Sequence, residues 1–304
     1  MLETRIIREL LVDDPAGHAG QTHLSAASGL VKVANRLFVV ADDEHYLAMF
    51  DLSNRKPGRL VPIFDGELPL RHDARKAAKP DCEALLLLPA FGDYPNGALM
   101  AMGSGSRPSR HRGALLALDA AGGIQGPVRT LDLASLLSPL QDRFADLNIE
   151  GAFIQGDTLS LLQRGNSGSA INARIELSWT DVQRWLAAAG PAPGPASITR
   201  FELGALDGVP LSFTDGTALP AGGWLFSAAA EDTSDTYRDG HCAGSAIGLV
   251  DAGGTLRWLE RMSLTCKVEG ITAAATGDNV DLLLVTDADD RGQPALLLSA
   301  HVRL

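Results

Sequence analysis

The segment EGAFIQGDTLSLLQRGN (Glu150–Asn166) contains the pattern that predicts the fold. An acidic residue and a glycine open a short apolar run, a Gly-Asp turn follows, and a second apolar run ends in a polar loop. Short apolar runs separated by Gly and Asp are typical of antiparallel strand–turn–strand units. The segment therefore predicts two neighbouring strands of an antiparallel sheet.

The same pattern recurs five times along the chain of 304 residues, roughly every 60 residues. Each copy opens with an acidic or small polar residue followed by Gly or Ala: Ser28-Gly29, Glu83-Ala84, Glu150-Gly151, Asp215-Gly216 and Glu269-Gly270. A third apolar run follows each polar loop, and a fourth, more alternating run closes four of the copies. Repeated units of four short strands are typical of propeller blades.

The fifth copy ends before a fourth run, and a run of the missing character lies at Thr4–Val12. We therefore predict an all-β fold, a five-bladed β-propeller with four antiparallel strands per blade, in which the N-terminal strand closes the last blade and leaves no open sheet edge. A six-bladed ring stays open as an alternative if residues 180–210 contain a degenerate unit. We expect one domain over residues 1–304, with approximate blades at 28–64, 83–133, 150–203, 215–262 and 269–304 plus 4–12.

Two segments interrupt the strand pattern. Trp179–Ala189 predicts a short helix that is capped by Thr180 or Asp181. Asp132–Leu137 predicts a further helical turn. We interpret both as excursions between blades.

The composition excludes several classes of protein. The formal net charge is −11 and no basic run is present, which argues against a nucleic-acid partner and against an anionic membrane surface. Apolar residues make up 45% of the chain, so wholesale disorder is excluded. A charged segment at Met1–Leu10, the lack of a long apolar run and three cysteines without C-x-x-C spacing predict a cytoplasmic protein with free thiols.

The acidic residues of the repeat are the candidate site. The first strand of a blade lines the central channel, so four carboxylates should meet at one channel mouth: Glu83, Glu150, Asp215 and Glu269. The small residue after each acid allows neighbouring strands to approach closely. Crowded carboxylates need a compensating charge, from Lys79 and Lys267 or from Ca²⁺ or another divalent cation. The alternative that each carboxylate caps backbone N–H groups of its own turn stays open.

The loop after the second strand of each blade should return to the same mouth. These loops and their neighbours add candidate residues for substrate binding and catalysis: Asp42, Arg107, His111, Arg164, Asn166, Glu231 and Asp287. Carboxylates below a rim of Arg, His and Asn side chains suit a small anionic or polyhydroxyl ligand. No sequence feature predicts a particular protein partner.

Two segments resemble a known group of bacterial propellers. Asn148-Ile-Glu-Gly-Ala-Phe, continued by Gly156-Asp-Thr-Leu-Ser-Leu-Leu-Gln-Arg164-Gly-Asn166, and Lys267-Val-Glu-Gly-Ile271 are similar to the D-x-E-G-[LI] segments of the "esterase-like activity of phytase" group. The gluconolactonase/regucalcin-like propellers share a similar Glu-Gly start. This chain departs from the group in its predicted blade count and in Ser28, which stands where an acid is expected.

The resemblance implies a divalent cation, often Ca²⁺, in the channel and hydrolysis of phosphoesters or lactones. It implies that Glu83, Glu150, Asp215 and Glu269 are cation ligands, and that Arg164 and Asn166 orient the substrate.

Two functions stay open from the sequence. The first is a divalent-cation-dependent hydrolase of a small phosphoester or lactone, in which activity depends on Glu150 and Glu269 while Arg164, Arg107 and His111 hold developing negative charge. The second is a non-catalytic ligand-binding or interaction scaffold with a structural acidic ring.

Overall fold

The computed structural model describes residues 1–13, 20–165, 171–232 and 242–304. In these residues, strands form five antiparallel sheets, and the first strand of each sheet contacts the first strand of the next until the ring closes. The chain is therefore a five-bladed β-propeller, as predicted, and the six-bladed alternative is wrong. The apolar core is divided into five clusters of buried side chains, each shared by two neighbouring blades.

Strand β1 (Thr4–Glu9) lies in the last blade. Blade 1 contains β2 (Ala27–Val33), β3 (Arg36–Ala41), β4 (Tyr46–Asp51) and β5 (Arg59–Pro62). Blade 2 contains β6 (Cys82–Leu88), β7 (Ala98–Gly103), β8 (Arg112–Leu118) and β9 (Ile124–Asp132). Blade 3 contains β10 (Ile149–Gln155), β11 (Thr158–Gln163), β12 (Asn172–Ser178) and β13 (Ser197–Phe201).

Blade 4 contains β14 (Ala205–Leu206), β15 (Val209–Ala218), β16 (Trp224–Glu231), β17 (Cys242–Val250) and β18 (Leu256–Arg261). Blade 5 contains β19 (Lys267–Thr276), β20 (Asn279–Asp287), β21 (Leu296–Arg303) and β1. Strand β1 pairs antiparallel with β21, from Thr4 opposite Ala300 to Glu9 opposite Leu296. The predicted closure of the last blade by the N-terminal strand is thus confirmed.

Each inner strand carries a β-bulge at the same height in the channel. The unpaired residues at the five register shifts are Ser28, Glu83, Glu150, Thr214 and Glu269. A bulge bends its strand and changes the direction of the side chain there. Four of these residues are the acidic or small polar residues that open the predicted repeats, so the bulge is the structural feature that these repeats share.

Blade 4 differs from the sequence prediction by one residue. Phe213 pairs with Ala228 and Asp215 with Ser227, so Thr214 occupies the bulge and Asp215 takes the place of the small residue. Because side chains alternate along a strand, this shift directs Asp215 away from the position of the glutamates. The predicted equivalence of Asp215 with the other three acids is therefore wrong.

The small residue after the bulge is required by the neighbouring inner strand. A Cβ atom at Gly151 would lie 2.7 Å from Cα of Asp215, and one at Gly29 would lie 2.7 Å from the backbone nitrogen of Leu85. Contacts this short do not occur without displacement of the backbone. Glycine thus allows the inner strands to lie side by side around the channel.

Three short helices lie outside the sheets. Helix α1 (His72–Ala78) was not predicted and connects blade 1 to blade 2, α2 (Ala134–Gln141) extends the predicted turn, and α3 (Trp179–Leu186) is the predicted helix. Ser178, rather than Thr180 or Asp181, caps α3, because its side chain accepts a hydrogen bond from the Asp181 N–H. Within the described ranges, no helix combines the length and the apolar character needed to cross a membrane.

Replacement of Gly151 by Ala tests the close packing of the inner strands. We expect Gly151→Ala to lower the free energy of unfolding by about 1–3 kcal/mol, since the added methyl group meets backbone atoms of Asp215. Chemical denaturation measures the change. Gly194→Ala is the matched control, because no atom lies within 4 Å of a Cβ at that position. Equal stability of the two variants would contradict the packing described here.

Candidate functional site

The channel mouth is formed by charged and polar side chains from three positions that are structurally equivalent in the blades. The bulges contribute Glu83, Glu150 and Glu269. The position two residues earlier contributes Asp81, Asn148 and Lys267. The end of the second strand contributes Asp42, Ser104, Arg164, Glu231 and Asp287. The structure thus brings together, at one end of the channel, most of the residues that the sequence pattern predicted to meet.

Arg164 and Lys267 connect the carboxylates of blades 3, 4 and 5. The Arg164 guanidinium lies 3.2 Å from Oε2 of Glu150, 2.5 Å from Oε2 of Glu231 and 3.7 Å from Oε1 of Glu269. All four side chains are largely removed from solvent. Asn148 also donates a hydrogen bond to Oε1 of Glu150. Glu150 is therefore held on both of its oxygens.

The Lys267 ammonium adds a second bridge on the same side. Its Nζ lies 3.1 Å from Oε1 of Glu269, 3.2 Å from Oδ2 of Asp287 and 3.0 Å from Oδ1 of Asp289. Glu269 is fully enclosed, and among the described residues neither of its oxygens has a partner with hydrogen-bond geometry, although the ammonium is near. The contact between Lys267 and Glu269 is thus ionic rather than a directed hydrogen bond.

Blades 1 and 2 form a different arrangement, which we call the acidic triad. One carboxylate oxygen from each of Asp42, Asp81 and Glu83 lies within 4.8 Å of the others. Lys79 forms an ion pair with Asp42 and lies 2.9 Å from Oδ1 of Asp81. Arg110 and Ser104 hold the other oxygen of Asp81, at 2.8 and 2.5 Å.

Glu83 is the exceptional member of the acidic triad. Its side chain is only 9% exposed. Within the part of the chain that the structure describes, its carboxylate has no hydrogen bond and no ion pair. The charge of Lys79 acts on this carboxylate without an ion-pair contact, so the described residues compensate its negative charge only in part.

Burial raises the pKa of several carboxyl groups in the mouth. Burial is the largest cause for Asp42, whose pKa rises to about 7 although Lys79 opposes the shift. Burial also raises the pKa of Glu150 to about 8, with Glu269 adding to the shift and Arg164 opposing it. The pKa of Glu83 is raised well above its ordinary value, by burial and then by the charge of Glu150. The mouth therefore favours uptake of positive charge.

A cavity of about 420 Å³ adjoins the acidic triad. It lies between blade 1, blade 5 and the segment of α1, and its wall includes Asp42, Asp43, Lys76, Lys79, Asp287 and Arg291. Asp42 and Lys79 thus belong to both the triad and the cavity. Oδ1 of Asp43 is buried without a hydrogen-bond partner among the described residues.

Helix α1 is fixed beside this cavity by ion pairs. Arg75 of α1 is buried and lies 3.2 Å from Oδ2 of Asp43 and 2.5 Å from Oε1 of Glu44. Arg291 of blade 5 approaches the same two carboxylates, at 3.8 and 3.6 Å. The cavity therefore has a rigid wall that two blades and the helix share.

Other predicted residues lie differently. Oδ1 of Asp215 accepts a hydrogen bond from the Gly216 N–H at 2.7 Å, and Oδ2 accepts one from the Ile271 N–H at 3.0 Å. For Asp215 the backbone-capping alternative thus applies, and we leave it out of the site. His111 is buried, and its ring contacts the Gly105 carbonyl oxygen rather than the carboxylates. The Arg107 side chain is exposed beside the 3₁₀ turn at Pro108–Arg110, and Asn166 lies outside the described residues.

The sequence analysis missed Asp81. The signal that could have found it is its position two residues before Glu83, where Asn148 stands before Glu150 and Lys267 before Glu269. Asp81 also has a positive φ of 56°, which places its backbone in the left-handed region. Asp tolerates this region better than most residues do, and such conformations are concentrated at functional sites.

Comparison with known proteins identifies a family but no activity. A family model described as "Family of unknown function (DUF6929)" matches residues 23–302. No curated protein matches the chain. Among solved structures, a GH32 β-fructofuranosidase from Bombyx mori is 12% identical, with a TM-score of 0.50 over 90% of this chain and 60% of that chain. At this identity the likeness shows the fold alone.

Two further solved structures have lower TM-scores. A luciferin-regenerating enzyme is 9% identical, with a TM-score of 0.43 over 98% of this chain and 94% of that chain. A calcium-binding protein, regucalcin, from Agrobacterium tumefaciens is 12% identical, with a TM-score of 0.46 over 99% of this chain and 95% of that chain.

Replacement of Asp215 by Asn tests its structural role. The Asn amide presents a donor toward a backbone N–H group, so we expect Asp215→Asn to lower the free energy of unfolding by about 1–3 kcal/mol. The exposed control Asp65→Asn should change it by less than about 0.5 kcal/mol. Denaturant unfolding of both variants measures the difference. An unchanged midpoint for Asp215→Asn would contradict the assignment.

The raised pKa of Glu150 predicts a pH-dependent stability. Because this pKa is higher in the folded protein than its ordinary 4.5, the folded state binds the proton of Glu150 more tightly than the unfolded state does. The contribution of this proton to the free energy of unfolding is therefore lost as pH rises toward about 8. We expect wild-type stability to fall between pH 5 and 8, in the presence of EDTA. In Glu150→Gln the fall should be smaller by at least about 1 kcal/mol. Thermal unfolding across this range checks the two slopes, and parallel slopes would contradict the prediction.

Proposed function

Because the chain belongs to the DUF6929 family, a family of unknown function, we propose from its own residues that the channel mouth is the site of a divalent-cation-dependent hydrolase. The substrate we propose is a small phosphoester or lactone with a negative charge. The observation that carries the proposal is the acidic triad, in which the largely buried Glu83 lies beside Asp42 and Asp81 and has no hydrogen bond or ion pair with any described residue.

The donor set of the triad fits a hard divalent cation. Ca²⁺ and similar cations bind carboxylate and carbonyl oxygens, and the triad offers three carboxylates. Among the described residues, eight carboxyl groups and four basic side chains meet at the mouth, so acidic groups outnumber basic ones: Asp42, Asp81, Glu83, Glu150, Glu231, Glu269, Asp287 and Asp289 against Lys79, Arg110, Arg164 and Lys267. A bound cation would reduce this excess.

The wall of the neighbouring cavity has mixed charge. Among the described residues it contains four basic side chains, which can bind a negatively charged group of the substrate, and five aspartates: Arg75, Lys76, Lys79 and Arg291 with Asp42, Asp43, Asp287, Asp289 and Asp290. Because Asp42 belongs to both features, a substrate in this cavity would lie next to the acidic triad.

Each group at the mouth then has a defined task. When bound, a divalent cation polarises an ester oxygen and lowers the pKa of water. Glu150, with its pKa raised to about 8 and both oxygens held by neighbours, is suited to act as a general base. Arg291 and Lys76 hold the negative charge of the substrate, and Arg164 keeps Glu150 in position.

The second candidate is a non-catalytic ligand-binding scaffold. It is favoured by the ion pairs of Arg164 and Lys267, which neutralise much of the charge in blades 3 to 5 without any ligand. In this case the same cavity binds a small anion or polyhydroxyl compound and converts nothing. Assays with phosphoesters, esters and lactones separate the two functions, because only the hydrolase shows turnover that EDTA abolishes.

The cation site is tested by thermal unfolding with EDTA and then with Ca²⁺, Mg²⁺ or Mn²⁺ at constant ionic strength. A cation at one hundred times its Kd should stabilise the wild type by about 2.7 kcal/mol. In Glu83→Gln this stabilisation should be largely lost while the fold, measured by circular dichroism, is retained. The exposed control Glu202→Gln should keep the full response. A wild type that responds to none of the cations, or a Glu83→Gln variant that responds fully, would overturn the proposal.

A further inference from the structure

We propose that Lys79 is an internal counter-ion that competes with the divalent cation for the acidic triad, and that its release into the adjoining cavity couples cation binding to anion binding. This inference rests on the proposed cation site and assigns its regulation to one side chain.

The position of Lys79 is the first support. Its ammonium contacts Asp42 and Asp81 in the triad, and the same side chain lines the cavity. Only 14% of the side chain is exposed, so it fills the boundary between the two features. Among the four basic side chains at the mouth, Lys79 alone both bridges two triad members and forms part of the described cavity wall.

The hydrogen bonds of Asp81 make the competition direct. Arg110 and Ser104 already bind Oδ2 of Asp81. The remaining oxygen, Oδ1, is the one that Lys79 contacts at 2.9 Å. A cation that binds Oδ1 of Asp81 therefore needs an oxygen that the ammonium now holds, and it also lies beside the ion pair of Lys79 with Asp42. A cation bound to this oxygen would lie close to the Lys79 ammonium, and the two positive charges would repel each other strongly. Binding of the cation therefore displaces Lys79.

The backbone allows this displacement without a larger rearrangement. The Lys79 N–H donates to the Arg75 carbonyl oxygen at 2.7 Å, and Pro80 follows, so the main chain at the end of α1 is fixed. The side chain, with its flexible four-carbon stem, can rotate from the triad into the cavity. Lys79 already lines this cavity, and its released ammonium adds a free positive charge beside Lys76 and Arg291 in a wall that also contains five aspartates.

This geometry predicts reciprocal coupling. If cation binding releases Lys79 toward the anion, anion binding must strengthen cation binding by the same factor. Without Lys79, the cation has no competitor for the acidic triad. The anion then lacks the ammonium that cation binding releases into the cavity.

The test uses Ca²⁺ and inorganic sulfate as probes, with calorimetry on the full chain at constant ionic strength. In the wild type, saturating Ca²⁺ should tighten sulfate binding by about fivefold or more, and sulfate should tighten Ca²⁺ binding by the same factor. In Lys79→Met, Ca²⁺ should bind at least about tenfold more tightly than in the wild type, and the effect of each probe on the other should disappear. The control Lys76→Met, on the same helix, should weaken sulfate binding and leave Ca²⁺ affinity unchanged.

The outcomes separate this inference from the proposed function. A wild type that binds Ca²⁺ while Lys79→Met binds it no more tightly would overturn the role of Lys79 and leave the cation site intact. Full coupling retained in Lys79→Met would also overturn it. A wild type that binds no cation would overturn both proposals. Since the coupling is also measured in the wild type, the absence of coupling there refutes the inference even if Lys79→Met fails to fold.

Discussion

Closure of five inner strands around one narrow channel is the constraint on which the site depends. The strands approach so closely that the residue after each bulge must be small or turned aside, as Gly151 and Asp215 show. The bulge itself directs a longer side chain toward the mouth. Three of these side chains are glutamates, so the same geometry that closes the ring also concentrates negative charge. The charge at the mouth is thus a product of the architecture.

The molecule neutralises this charge in two ways. In blades 3 to 5, Arg164 and Lys267 form a network that gives a basic neighbour to five carboxylates of the mouth: Glu150, Glu231, Glu269, Asp287 and Asp289. In blades 1 and 2 the compensation is incomplete, because Arg110 and Lys79 form ion pairs with Asp81 and Asp42, while Glu83 has no ion pair among the described residues. The two sides of the mouth therefore differ in how much of their negative charge the protein itself neutralises.

The sequence predicted the ring because strand and turn signals repeat at regular intervals, and it placed the N-terminal strand in the last blade. The sequence pattern did not determine the pairing register of the strands to within one residue. The pair Asp215-Gly216 matches the acidic signature, but backbone hydrogen bonds to Asp215 move the bulge to Thr214. His111 was expected at the site from its loop position alone, and its ring turns instead toward a backbone carbonyl. Helix α1 gave no clear periodic signal because it has only seven residues.

The pairing of β1 with β21 has a consequence for the order in which the molecule assembles. The two strands are separated by almost the whole sequence, and they complete the blade that carries Lys267, Glu269 and Asp287. Contacts between such distant segments form late, since a long loop must close before they contribute. The acidic triad, by contrast, comes from two consecutive blades early in the chain. We therefore expect the blade 5 side of the mouth to form after the acidic triad, because blade 5 is complete only when the first and last strands have paired.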